Sequence, residues 1–167
     1  METLNLIDID NRSQCLELYE FILANCSEAK GSSHNHQNWI GGYFDHIEEV
    51  CNYAQKLYEL LSQDRKLDFS LSDALLVLFL HDLEKPIYYS DFGKNIIKTE
   101  TECKQWFFDK FKLKLKEEHL LAIKYIHGEG DDYRNDKRIM SPLCAFCHCC
   151  DIISSRIFFN FPLKGNE

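Results

Sequence analysis

Apolar residues recur along most of this chain at alternating spacings of three and four, the period of a helix with one buried face. Cys15, Leu16, Leu18, Tyr19, Ile22 and Leu23 predict a first helix over 11–26. A polar loop over 27–38 follows, carrying Gly31, His34 and His36. After Gly41 and Gly42, the residues Tyr43, Ile47, Val50, Ala54, Leu57 and Leu61 form one stripe on a second helix over 43–61. His46 lies beside the start of that stripe. A third helix opens near Ser70, which has capping-box spacing to Asp73. Its body, 74–80, is apolar all round, as expected of a buried central helix that Pro86 ends. Residues 87–95 read as an irregular connection, and further helices are expected over 99–111 and 116–126, the latter stopped by Gly128. Ser141 as N-cap and Pro142 in the first turn open a last helix running to Phe158. The pattern predicts an all-α chain, a single compact bundle of five to six helices forming one domain over 1–167.

Composition supports that picture and narrows the partners. Of 167 residues, 45% are hydrophobic and only three are proline, so a buried helical core is affordable and disorder is excluded. A net charge of -8 disfavours long nucleic acid unless cations gather in one place. The only Lys/Arg cluster evident in the sequence runs from Lys104 to Lys116. No stretch reaches the roughly 18 apolar residues of a membrane span, and Met1 to Asp10 has no signal-peptide pattern. A cytoplasmic location is expected, with the eight cysteines reduced.

The chemistry is expected where polar groups interrupt dry helices. His81 and Asp82 follow six apolar residues, and Asp151 interrupts the last helix. An ionised carboxylate there is costly unless paired or bound to a cation. Two such carboxylates repel one another, which a divalent metal with imidazole co-ligands relieves.

A single His, then His-Asp, then a distant Asp, all on helices, resembles the pattern of HD-domain metal-dependent phosphohydrolases. On that resemblance His46 is the first ligand, His81 and Asp82 the namesake pair and Asp151 the last, with Lys85 following the doublet. The likeness covers roughly residues 36–156. Locally, His36, Trp39, Gly41, Gly42 and His46 are similar to a segment of HD-domain 3′–5′ exoribonucleases, although the separate nucleic-acid-binding domain usual in those enzymes is not expected among these residues. This implies a glycine-permitted close approach to the metal, with His36 and Trp39 beside the substrate.

The resemblance implies one or two divalent transition metal ions per chain (manganese, iron, nickel, cobalt or zinc), with His127 and His148 as added ligands if there are two. Asp82, Lys85 and His127 are the expected catalytic groups. Lys85, His36, Trp39 and Arg156 are the expected substrate contacts, and Tyr43 offers an aromatic for stacking. Glu84 is a candidate base, and His119 reads as a surface residue or an outer support. The expected reaction is hydrolysis of a phosphate ester or anhydride of a small nucleotide or related metabolite, by water activated at the metal. Alternatives are a 3′–5′ exonuclease on single strands, a di-iron oxygenase and a non-catalytic nucleotide sensor; a homodimer is compatible with each. Cys144 to His148 fits the haem-attachment spelling, but packing is the expected role of these cysteines.

Overall fold

The computed structural model describes residues 1–93 and 99–157. Among them every regular element is helical: three short 3-10 turns, Glu2–Leu6, Asp91–Gly93 and Gly130–Asp132, and the helices α1 (Ile9–Cys26), α2 (Gly42–Asp64), α3 (Leu71–Leu80), α4 (Glu84–Tyr88), α5 (Glu100–Lys110), α6 (Glu117–Tyr125) and α7 (Pro142–Ile157). Six of these are the expected long helices, and α4 adds one turn. None is long and apolar enough to cross a membrane. Phe158 and the tail 161–167 lie outside the described residues, as do 94 and 95 of the expected connection.

Helix α3 is the axis of the fold. All seven residues from Ala74 to Leu80 are buried, and α2, α6 and α7 pack around them. An apolar helix without a polar face can lower its free energy only by being surrounded. Its N-terminus carries the expected capping box: Ser70 Oγ accepts from the Asp73 amide at 3.1 Å, and Asp73 Oδ2 accepts from the Ser70 amide at 3.1 Å. The other carboxylate oxygen of Asp73 accepts from Lys116 Nζ at 2.9 Å and His119 Nε2 at 2.7 Å, tying the start of α6 to the start of α3. His119 is 2% exposed. It is neither a surface residue nor a support of the metal ligands, because its ring is committed to this joint.

Two boundaries differ from expectation for physical reasons. The central helix ends at Leu80, six residues before Pro86, and His81 to Leu83 form a turn into α4. Pro86 sits in the first turn of α4, where a missing N–H costs nothing. On α2 the apolar stripe is buried as far as Ala54, whereas Leu61 is 40% exposed because the helix outruns the core.

The two glycines before His46 act on the backbone. Gly41 adopts φ 78°, a left-handed conformation that opens α2. At Gly42 a Cβ would lie 2.0 Å from the carbonyl oxygen of Gln37, so only glycine fits. The close approach is therefore to Gln37 and not to the metal site. Gln37 itself has φ 45° and is 1% exposed.

Candidate metal centre

Four helices deliver their polar groups to one point. His46 lies in the second turn of α2, His81 and Asp82 at the C-terminal end of α3, and Asp151 in the middle of α7. His127 follows two residues after α6. His46, His81 and Asp82 are completely buried and Asp151 is 5% exposed. His46 Nε2 lies 3.4 Å from Asp82 Oδ2 and 3.3 Å from Asp151 Oδ1. His81 Nε2 lies 3.1 Å from Asp82 Oδ2 and 3.9 Å from Asp151 Oδ1. The two Nε2 atoms are 3.3 Å apart.

The outer nitrogens determine what the inner ones can do. His81 Nδ1 is 2.7 Å from the Leu78 carbonyl, which can only accept, so Nδ1 carries the proton and Nε2 presents a lone pair. His46 Nδ1 lies 3.0 Å from Ser154 Oγ. The Ser154 hydroxyl donates to Glu49 Oε2 at 2.6 Å, so it accepts from His46 and again leaves Nε2 with a lone pair. Gln37 Nε2 donates to the same Glu49 oxygen at 3.0 Å. Histidine ligands oriented through their other nitrogen are the usual support of a metal site. Gln37, Glu49 and Ser154 were absent from the expected site. A signal existed: Glu49 stands one turn after His46, and Ser154 one turn after Asp151, on the same helix faces.

Electrostatics favours a cation at this point. Burial opposes ionisation of Asp82, yet the His81 ring and the Lys85 ammonium outweigh it and hold the carboxyl well below its usual range. Burial likewise opposes charge on Asp151, and His127 and His46 pull its pKa down. Two buried carboxylates thus face one ammonium, Lys85, which pairs with Asp82 Oδ2. Asp82 is contacted further by His127 at Oδ1 and by His46 and His81 at Oδ2. The donor set of two imidazoles and two carboxylates fits a divalent transition metal.

Donor atoms fall into two groups, His46 with His81 and Asp151, and His81 with Asp82 and His127. Both need His81 Nε2, since Nδ1 is spent on Leu78, and one lone pair serves one ion. His127 bridges the carboxylates instead, Nε2 lying 3.2 Å from Asp82 Oδ1 and Nδ1 3.2 Å from Asp151 Oδ2. Burial opposes protonation of His127, but Asp151 and Asp82 prevail and push its pKa up to about 10. His148 stands outside both groups, its Nδ1 held by the Ile126 carbonyl. The donors could therefore hold one ion at a time, at His46, His81 and Asp151 or at His81, Asp82 and His127.

A cavity of about 690 Å³ reaches this centre at His127 and Asp151, and His34, Asn35, His36, Ile152, Ser155 and Arg156 complete its wall. His36 Nε2 accepts from Lys85 Nζ at 3.3 Å, and its ring stands 5.2 Å from that of His46. Burial and the adjacent Lys85 push the His36 pKa down to about 4, so the ring is neutral. Arg156 is exposed on the wall and makes no ion pair among the described residues. Trp39 does not line the cavity. Its indole donates to Asp45 Oδ2 at 2.7 Å, bracing the first turn of α2. Tyr43 is 1% exposed and cannot stack on a ligand. Glu84 turns toward Lys104 Nζ at 3.3 Å and lies buried between α4 and α5; burial and Asp82 push its pKa up to about 7. No family model, curated protein or solved structure matches this chain.

Proposed function

We propose that this chain is a mononuclear metal-dependent phosphohydrolase of the HD type, cleaving a phosphate ester or anhydride of a small nucleotide or related metabolite. The reading is carried by the convergence of His46, His81, Asp82 and Asp151 with both imidazole Nε2 lone pairs aimed inward. A manganese, iron, nickel, cobalt or zinc ion bound there would supply a Lewis acid and an acidified water. The residues around it are suited to the remaining tasks. Lys85 is placed to balance charge on a phosphoryl oxygen. His127, held between the two carboxylates, would offset negative charge that develops beside them. Neutral His36 accepts from Lys85 and so restricts where that ammonium points.

The substrate reading rests on the cavity. Its wall offers one guanidinium, from Arg156, with His34, Asn35 and Ser155 as further polar groups. Its volume lies within the usual range for small-molecule sites. A single guanidinium suits one phosphate group better than a tracked backbone, which needs several contacts. The cytoplasmic reading is supported by eight free thiols, seven of them buried.

The deciding experiment is a panel of mononucleotides, cyclic nucleotides, dinucleotides and single-stranded oligomers, assayed after metal loading and again with chelator. At least one small nucleotide should be hydrolysed faster than any oligomer, and Asp82→Asn should abolish that activity. Faster trimming of oligomers would favour the exonuclease. Oxygen consumption without phosphate release would favour the oxygenase, and metal binding without any turnover the sensor.

A further inference from the structure

Gln37 belongs to the loop between α1 and α2, yet it is 1% exposed. An amide side chain enters a dry interior only if it finds partners there. Its Nε2 donates to Glu49 Oε2 at 3.0 Å and to Ser154 Oγ at 3.1 Å, with the Ser154 carbonyl 3.4 Å away. The loop thereby reaches the faces of α2 and α7 that carry His46 and Asp151. Two costs come with this placement. The backbone stands at φ 45°, a left-handed conformation uncommon outside glycine and asparagine. The other amide atom, Oε1, is buried with no hydrogen-bond partner among the described residues. Strain of this kind persists only where the surroundings enforce it, and it clusters at functional sites.

The side chain acts on the ligand His46 through Ser154. A serine hydroxyl has one proton and two lone pairs. Gln37 Nε2 and His46 Nδ1 fill both lone pairs of Ser154, so the hydroxyl proton has only Glu49 to go to. Gln37 steadies that same Glu49 oxygen. With the hydroxyl fixed in direction, His46 keeps its proton on Nδ1 and its lone pair on Nε2. The backbone of Gln37 acts on the cavity. Its carbonyl accepts from the Gly31 amide at 2.9 Å and closes the loop around His34, Asn35 and His36, which wall the cavity at the metal centre. Ser32 tightens the same turn, accepting from the Asn35 amide at 2.9 Å and donating to the His36 carbonyl at 2.7 Å. His36, next in the chain to Gln37, is the residue that accepts from Lys85.

We propose that Gln37 is a positioning residue for both halves of the site: its amide fixes the Ser154 hydroxyl and so the His46 tautomer, and its backbone holds His36 and the cavity wall. One residue thus keeps the metal ligand and the substrate wall in register. The role rests on the phosphohydrolase reading for what the wall would meet, and on the hydrogen bonds alone for how the two halves are joined.

The test uses the full chain and needs no turnover. Gln37→Met keeps the side chain close to its length and removes both N–H donors. In that variant the ring-nitrogen resonances of His46 should shift toward the Nε2-protonated tautomer, and those of His36 should move with the wall. Affinity for manganese or cobalt, measured by competition with a chelating dye, should fall about 10-fold. Gln37→Asn suits the left-handed backbone better but is too short to reach Glu49. It should melt no lower than Gln37→Met and show the same losses, which a merely structural Gln37 would not produce. Ser154→Ala should move the His46 nitrogens alone, and Ser32→Ala those of His36 alone. A folded Gln37 variant with wild-type resonances at either histidine, or with wild-type metal affinity, would overturn the assignment. A wild-type chain that binds no metal would overturn the metal centre instead, and the histidine resonances would still decide on Gln37.

Discussion

His46 and His81 direct their Nε2 atoms at each other across 3.3 Å, although each ring is held by its Nδ1 in the tautomer that leaves Nε2 unprotonated. Two lone pairs at that separation repel unless a positive charge lies between or beside them. Asp82 and Asp151 flank the same point, so the arrangement is stable only with a cation or a captured proton.

Metal binding follows directly. The wild-type chain should bind one divalent transition metal ion, counted by elemental analysis after reconstitution and desalting. Asp82→Asn, close to isosteric, should lose it, while His148→Ala should retain it because His148 is held at the Ile126 carbonyl. Two ions in the wild type would show that His127 leaves the carboxylates to serve a second site.

Ser154→Ala removes the acceptor that fixes the His46 ring and leaves Glu49 with Gln37 alone. Metal affinity, measured by competition with a chelating dye, should fall about 10- to 100-fold. The fold should survive, since Ser to Ala creates almost no cavity. The nitrogen resonances of His46 should report a changed tautomer balance, which a purely structural serine would not produce.

Stability should fall in acid through Asp73. Burial works against its charge, but hydrogen bonds from Ser70, Lys116 and His119 win and hold its pKa below the usual carboxylate value. A depressed folded-state pKa means that the contribution is complete above the unfolded pKa, about 4. It is lost as pH falls from there through the folded value. Asp73→Asn should cost about 1 kcal/mol at pH 7, discounted for its partial exposure, and should flatten the melting-temperature profile below pH 4.

Thiol chemistry gives a simple count. Of the eight free cysteines only Cys149 is exposed. Burial pushes the Cys15 and Cys150 thiols up to about 12 and Cys144 to about 11. An aromatic disulfide reagent should therefore titrate one fast thiol in the folded protein and eight after denaturation. Cys149→Ser should remove the fast phase. Several fast thiols would show that α7 is less well packed than described.

Much of this was readable along the chain because helical period and local caps are properties of near neighbours. The all-apolar run 74–80, the Ser70–Asp73 box, the Ser141 and Pro142 start of α7, and His46, His81, Asp82 and Asp151 as polar interruptions all depend on spacings of a few residues. Other features required the chain to close on itself. Trp39 reads as a ligand contact until Asp45 takes its indole N–H, and His119 reads as surface until α6 meets Asp73. The count of metal ions turns on His81 spending Nδ1 on Leu78, and on His127 spanning carboxylates that come from α7 and the end of α3. Sequence spacing specifies which face of an element a side chain occupies, whereas its partner across 3 Å is set by how the elements pack. Hydrogen-bond commitment, and with it the role left to each nitrogen and oxygen, is decided only there.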